Sequence, residues 1–122
     1  MLKQLLLVGF GGGLGSILRY LTSVLTARFY DEAFPLATFV VNAVGCFVMG
    51  LLAGIPGGFS QDMRWFFVAG FCGGFTTFSA FAFENFRLFQ GNSHFTALSY
   101  IGLSVVTGLV GVWLGLQVAR QI

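Results

Sequence analysis

Four long stretches without charge divide the chain, and charged residues mark their edges. The first uncharged stretch, Gln4 to Leu18, lies between Lys3 and Arg19. Its 15 residues fall short of the roughly 20 that a helical span needs, so the helix is expected to run on to residue 25, with Arg19 near its end, where it can snorkel or face protein. Leu36 to Ile55 follows the break at Pro35. Trp65 to Phe83 lies between Arg64 and Glu84, and Phe95 to Ala119 closes at Arg120. The pattern predicts an all-α integral membrane protein, a single four-helix domain over 1–122 with spans at 4–25, 36–55, 65–83 and 95–119. The links are short, and Pro56, Gly57 and Gly58 are turn formers.

The third stretch departs from this pattern at its middle. Within GFCGGFTTFSAFAF, residues 70–83, Gly73 and Gly74 are poor helix formers, and Thr76, Thr77 and Ser79 bring three hydroxyls to membrane depth. Irregular or polar backbone survives there only inside protein or beside a water-filled cavity. A break in the third helix is therefore expected, and broken helices are a usual way to build an ion or substrate site.

Composition leaves little beyond a membrane protein. Only 8% of residues are charged and the mean hydropathy is +0.89, against roughly 25% charged residues in soluble domains. A net charge of +2 gives no nucleic-acid footprint. Lys3 before an apolar run resembles the start of a signal peptide, but no cleavage site leads into a soluble remainder, so the segment is read as a retained span. Cys46 and Cys72 lie in apolar segments without CxxC spacing and read as packing residues. No nucleophile–base pair or metal cluster suggests an enzyme.

With four spans, Lys3, Arg64 and Arg120 fall on one side and Arg19, Arg28 and Arg87 on the other. Topology follows a Lys/Arg imbalance, and none exists here, so insertion in both orientations is expected. Four short helices enclose a pore poorly, which favours a dimer of oppositely inserted copies about a two-fold axis in the membrane plane. Gly9/Gly13, Gly11/Gly15, Gly50/Gly54 and Gly111/Gly115 have the spacing of close helix contacts.

Several polar groups inside the spans have two readings. Thr38 and Asn42 share a helix face; Asn42 serves either as interhelical glue or as an amide donor to an anion. Phe75, Phe78 and Phe81 either pack or turn their positive ring edges into a narrow pore. The hydroxyls of Thr76, Thr77 and Ser79 either bond their own helix or leave carbonyls free for a cation. Ser99, Ser104 and Thr107 add hydroxyls to the fourth span, Ser104 and Thr107 as a short polar track. Glu84 and Arg87, three apart at a helix end, suit a surface ion pair, or Glu84 sits at a pore mouth. His94 is expected in a solvated loop.

Three windows, GGGLGSILRY at 11–20, FPLATFVVNAVGCFVMG at 34–50 and GFCGGFTTFSAFAFE at 70–84, resemble the CrcB/Fluc family of fluoride channels over essentially the whole length. The resemblance implies a dual-topology antiparallel homodimer in the plasma or bacterial inner membrane. It implies two fluoride pores that passively release cytoplasmic fluoride. Carried onto this chain, Phe78 and Phe81 face fluoride, Asn42 is the pore amide with Thr38 one turn earlier, and Ser104 belongs to a polar track. Thr77 and Ser79 supply pore hydroxyls. Arg19 and Glu84 match vestibule positions. A structural sodium ion at the dimer interface is implied on the backbone carbonyls of Gly73 and Thr76. The chain departs from relatives at Ala37, Ala80 and Gly108, the last at the far end of the track. Two other functions share the size and span number. A proton-coupled exporter needs a buried titrating acid, and the spans hold none except Glu84 at an end. A non-transporting assembly protein leaves the TTFS cluster without a job.

Overall fold

The computed structural model describes every residue from Met1 to Ile122. Helix α1 spans Leu2–Phe29 and α2 spans Leu36–Gly54. The third apolar stretch holds α3, residues 61–75, and α4, Phe78–Gln90. Helix α5 runs over His94–Arg120. All four apolar stretches are long enough to cross a membrane. The 19 residues of α2 rise about 28 Å, which matches a hydrocarbon core of about 30 Å.

Local chemistry sets the helix starts. Pro35, whose missing N–H matters least ahead of a first turn, precedes α2. Ser60 caps α3 by accepting from the Met63 N–H at 3.3 Å. Thr77 caps α4 by accepting from the Ala80 N–H at 3.2 Å. Helix α3 is irregular: after one α-turn, Arg64–Cys72 winds as a π-helix, and Gly73–Phe75 returns to α geometry. Two residues of extended backbone, Thr76 (φ −87°, ψ 159°) and Thr77 (φ −151°, ψ 117°), join α3 to α4. Gly73 and Gly74, poor helix formers in isolation, stay helical here. Gly73 has φ −62° and ψ −37°, and a side chain on Gly74 would meet the Gly12 carbonyl. At Gly74, close packing on α1 outweighs propensity.

Two glycine-lined seams hold the bundle. Lipid offers no hydrophobic drive between helices, so close backbone approach takes its place. In the α1–α3 seam, a side chain on Gly15 would strike the Phe71 carbonyl, and one on Gly70 would lie 2.9 Å from the Val8 carbonyl oxygen. In the α2–α5 seam, Gly50 faces the Val112 backbone and Gly115 the Phe47 carbonyl. Gly9 and Gly13, also spaced for helix contact, have nothing within 4 Å and lie outside both seams. The Lys3–Asp62 ion pair, 2.6 Å, ties the start of α1 to the start of α3 at one end. Only 15 of 122 residues are buried, so one copy turns most of its apolar wall outward, toward acyl chains or another copy.

Candidate functional site

The extended link at Thr76–Thr77 lies against α2, where Gly45 makes room for it. A side chain at residue 45 would collide with the Thr76 methyl. One turn earlier, Asn42 holds the link at both polar ends. Its Oδ1 accepts from the Thr77 N–H at 2.8 Å, and its Nδ2 donates to the Thr77 carbonyl at 3.1 Å. The N–H can only donate, which fixes the orientation of the amide. In an uninterrupted helix that N–H would bond the Gly73 carbonyl; here it goes to Asn42. An amide carries two N–H donors, so one of Asn42 is left beyond this clamp.

Two of the C-terminal carbonyls of α3 have side-chain partners. Arg19 Nε donates to the Gly74 carbonyl at 3.0 Å, a cation at the negative end of a helix. Arg19 therefore does not lie near the end of its span. Helix α1 continues to Phe29, and the guanidinium turns inward because the α3 terminus offers an acceptor. Thr76 Oγ1 donates to its own Cys72 carbonyl at 2.8 Å, the common fate of hydroxyls in membrane helices. Gly73 is exposed and meets only open space.

Beside the link is a cavity of about 350 Å³. Asn42, Thr76, Thr77, Phe78, Phe81 and Ser104 all reach it. Ser104 Oγ is buried without a partner. The rings of Phe78 and Phe81 lie 5.8 Å apart at 41°, and Phe78 is 79% exposed. Ser79, next to these residues in sequence, is exposed and near only the Thr77 hydroxyl, at 3.4 Å. Ser99 and Thr107 do not line the cavity. The face that carries Ser104 runs instead through Tyr100 and Gly108, four residues to either side.

A second polar cluster sits across Phe81. Thr38 Oγ1 donates to Glu84 Oε2 at 2.8 Å, and the Tyr100 hydroxyl donates to Glu84 Oε1 at 2.9 Å. Thr38 is 8% exposed and Tyr100 is fully buried. The surface ion pair expected between Glu84 and Arg87 does not form. The helix turns Glu84 toward α2 and α5, while the Arg87 guanidinium lies over the Phe83 ring, 5.9 Å from its centroid. Tyr100, absent from the residues singled out by sequence, connects the two groups: its ring meets Phe81 edge-on at 4.9 Å. The signal was its four-residue spacing from Ser104. His94 opens α5 and lies against Phe89, 5.6 Å between ring centroids.

The structure thus brings Asn42, Thr77, Phe78, Phe81 and Ser104 to one cavity. It gathers Thr38 and Glu84 beside it, and places Arg19, Gly73 and Thr76 around the end of α3. The family model for the CrcB-like protein, Camphor Resistance (CrcB), matches residues 6–116. The chain is 47% identical over 118 residues to the fluoride-specific ion channel FluC of Azobacteroides pseudotrichonymphae genomovar. CFP2, covering 94% of each chain. It is 43% identical to the protein of the same name from Flavobacterium psychrophilum, over 99% of this chain and 100% of the other. Identity to that of Methylobacillus flagellatus is 45%, over 97% and 95%. With four apolar helices and a match across nearly its whole length, this multi-pass membrane protein belongs to the CrcB family.

Proposed function

We propose that the chain is a passive, fluoride-selective channel of the bacterial inner membrane, and that two antiparallel copies form two pores. The observation that carries this reading is the convergence of Asn42, Phe78, Phe81 and a partnerless Ser104 hydroxyl on one cavity. Relatives covering nearly the full chain are named fluoride-specific ion channels. Fluoride is small and strongly hydrated, so the protein must replace its water. The remaining Asn42 N–H and the Ser104 O–H supply neutral donors. Phenyl rings add their positive edges without a fixed charge that would trap the ion. A pore narrowed by these rings would disfavour a larger anion such as chloride. Thr38, Glu84 and Tyr100 extend the polar groups past Phe81.

A second copy fits the exposure of Phe78, which leaves the cavity rim unfinished in one chain. Sodium fits the end of α3: Gly73 is exposed there and its carbonyl has lost the Thr77 N–H to Asn42. The carbonyls of Gly73 and Thr76 from both copies would hold the ion. It would supply a hard positive charge that joins the copies and offsets carbonyl dipoles. Glu84, bonded between three helices, keeps proton coupling as the second reading.

The test is fluoride efflux from liposomes, read with a fluoride electrode beside chloride and proton controls. The expected result is fast fluoride release without chloride or coupled proton movement. Phe78→Ile and Asn42→Asp are each expected to lower it at least tenfold. The second substitution keeps an acceptor for the Thr77 N–H but places negative charge beside the anion. Parent-like release from both variants would reject the assignment, and proton flux tied to a substrate would favour the second reading.

A further inference from the structure

We infer that each chain carries a site for an anionic phospholipid, between the C-terminal end of α2 and the N-terminal end of α3. A second cavity of about 340 Å³ lies there; it shares Met49 with the first but reaches none of Asn42, Phe78 and Phe81. Its polar groups, Gln61 and Arg64, sit at the membrane-surface end, and Leu52, Ala53, Met49 and Val68 form the wall beneath. Met49 lies five residues inside the end of α2, and Val68 four residues beyond Arg64. Along α2 the apolar wall therefore runs about 7 Å inward at 1.5 Å per residue. A cationic mouth over a hydrocarbon-lined slot matches the order of phosphate and acyl chain in a phospholipid.

The charges at this end favour an anionic head group. Arg64 is exposed, and its Nη2 rests by the turn at Gly58, 3.6 Å from where a side chain there would begin. No carboxylate pairs with it: Asp62, the nearest acid in sequence, is taken by Lys3 in the molecule's one ion pair. Lys3, Arg64 and Arg120 share this end with Asp62 as its only acid, whereas at the other end Arg28 and Arg87 are matched by Asp31 and Glu32. Trp65 also lines the slot, a residue type whose ring settles at the membrane–water boundary.

Trp65 provides the reporter. The chain has two tryptophans, so Trp113→Phe leaves Trp65 alone. In vesicles of phosphatidylcholine, dibrominated phosphatidylglycerol is expected to quench Trp65 with about fivefold higher relative affinity than dibrominated phosphatidylcholine, the effect of one cation at an anionic lipid. Adding Arg64→Gln should remove the preference, Arg120→Gln should leave it, and excess inorganic phosphate should not displace the lipid. Equal affinities before any Arg change would overturn the proposal. So would a preference that survives Arg64→Gln, or one lost equally with Arg120→Gln, which marks diffuse attraction. Displacement by inorganic phosphate would overturn it by reducing the site to a head-group contact. A Trp65 that neither lipid quenches would overturn it in favour of a second copy covering the slot.

Discussion

Glu84 shows how far a side chain's role depends on neighbours distant in sequence. Seen with Arg87 alone it reads as half of a surface ion pair, but Thr38 and Tyr100, 46 and 16 residues away, take its two oxygens. Removing the carboxylate strands two hydroxyls in a buried place, and each unsatisfied group costs about 1–3 kcal/mol. Glu84→Ala is therefore expected to destabilise the protein by roughly 2–6 kcal/mol, and Tyr100→Phe, which loses one bond, by about 1 kcal/mol. Because the two share a bond, the double variant should fall short of the sum by about 0.5–3 kcal/mol. Unfolding in detergent, followed for the four proteins of the cycle, measures this directly. Strict additivity would show that the hydroxyl and the carboxylate do not interact. Asn42 is a similar case: its position within an apolar helix marked it as polar and buried, yet its partner, Thr77, lies 35 residues away. Tyr100 was hidden for the opposite reason, since an aromatic residue within a span reads first as packing.

At the scale of elements, hydropathy makes the spans legible because bilayer thickness fixes their length. Details inside a span are set by contact and are harder to read. Propensity pointed to Gly73 and Gly74 as the weak place in the third stretch, whereas both stay helical, Gly74 packed against α1, and the extended residues are Thr76 and Thr77. The π-helix over Arg64–Cys72 has no sequence signal of its own. Glycine spacing likewise names more pairs than the fold uses. Gly15 lies against the Phe71 carbonyl and the Phe75 N–H, while Gly13, on another face of α1, meets nothing. Gly15→Ala is expected to push α1 from α3 and sharply reduce folded protein. Gly13→Ala should be neutral or gain up to about 1 kcal/mol from helix propensity. Yield of monodisperse protein and its melting temperature compare the two. Equal damage from both would mean that the outer face of α1 is also a contact.

The whole molecule raises the question of orientation, and here the structure changes the charge count. Arg19 is committed to the Gly74 carbonyl inside the bundle, so the ends present Lys3, Arg64 and Arg120 against Arg28 and Arg87. Three against two is still close to balance, and a small bias is what allows both orientations. If function needs an antiparallel pair, fixing the orientation of every copy should remove it. Asp31→Lys with Glu32→Lys places four cations at the lightly charged end against three at the other, and neither residue is part of the site. Expressed alone, that variant is expected to insert one way and give little fluoride release. Co-expression with Arg28→Gln/Arg87→Gln, biased the other way, should restore release, because each then supplies the copy the other lacks. Labelling of cysteines introduced at each end reports the orientations independently of transport. Parent-like release from the first variant, with labelling showing a single orientation, would exclude the antiparallel pair while leaving the fluoride cavity itself untouched.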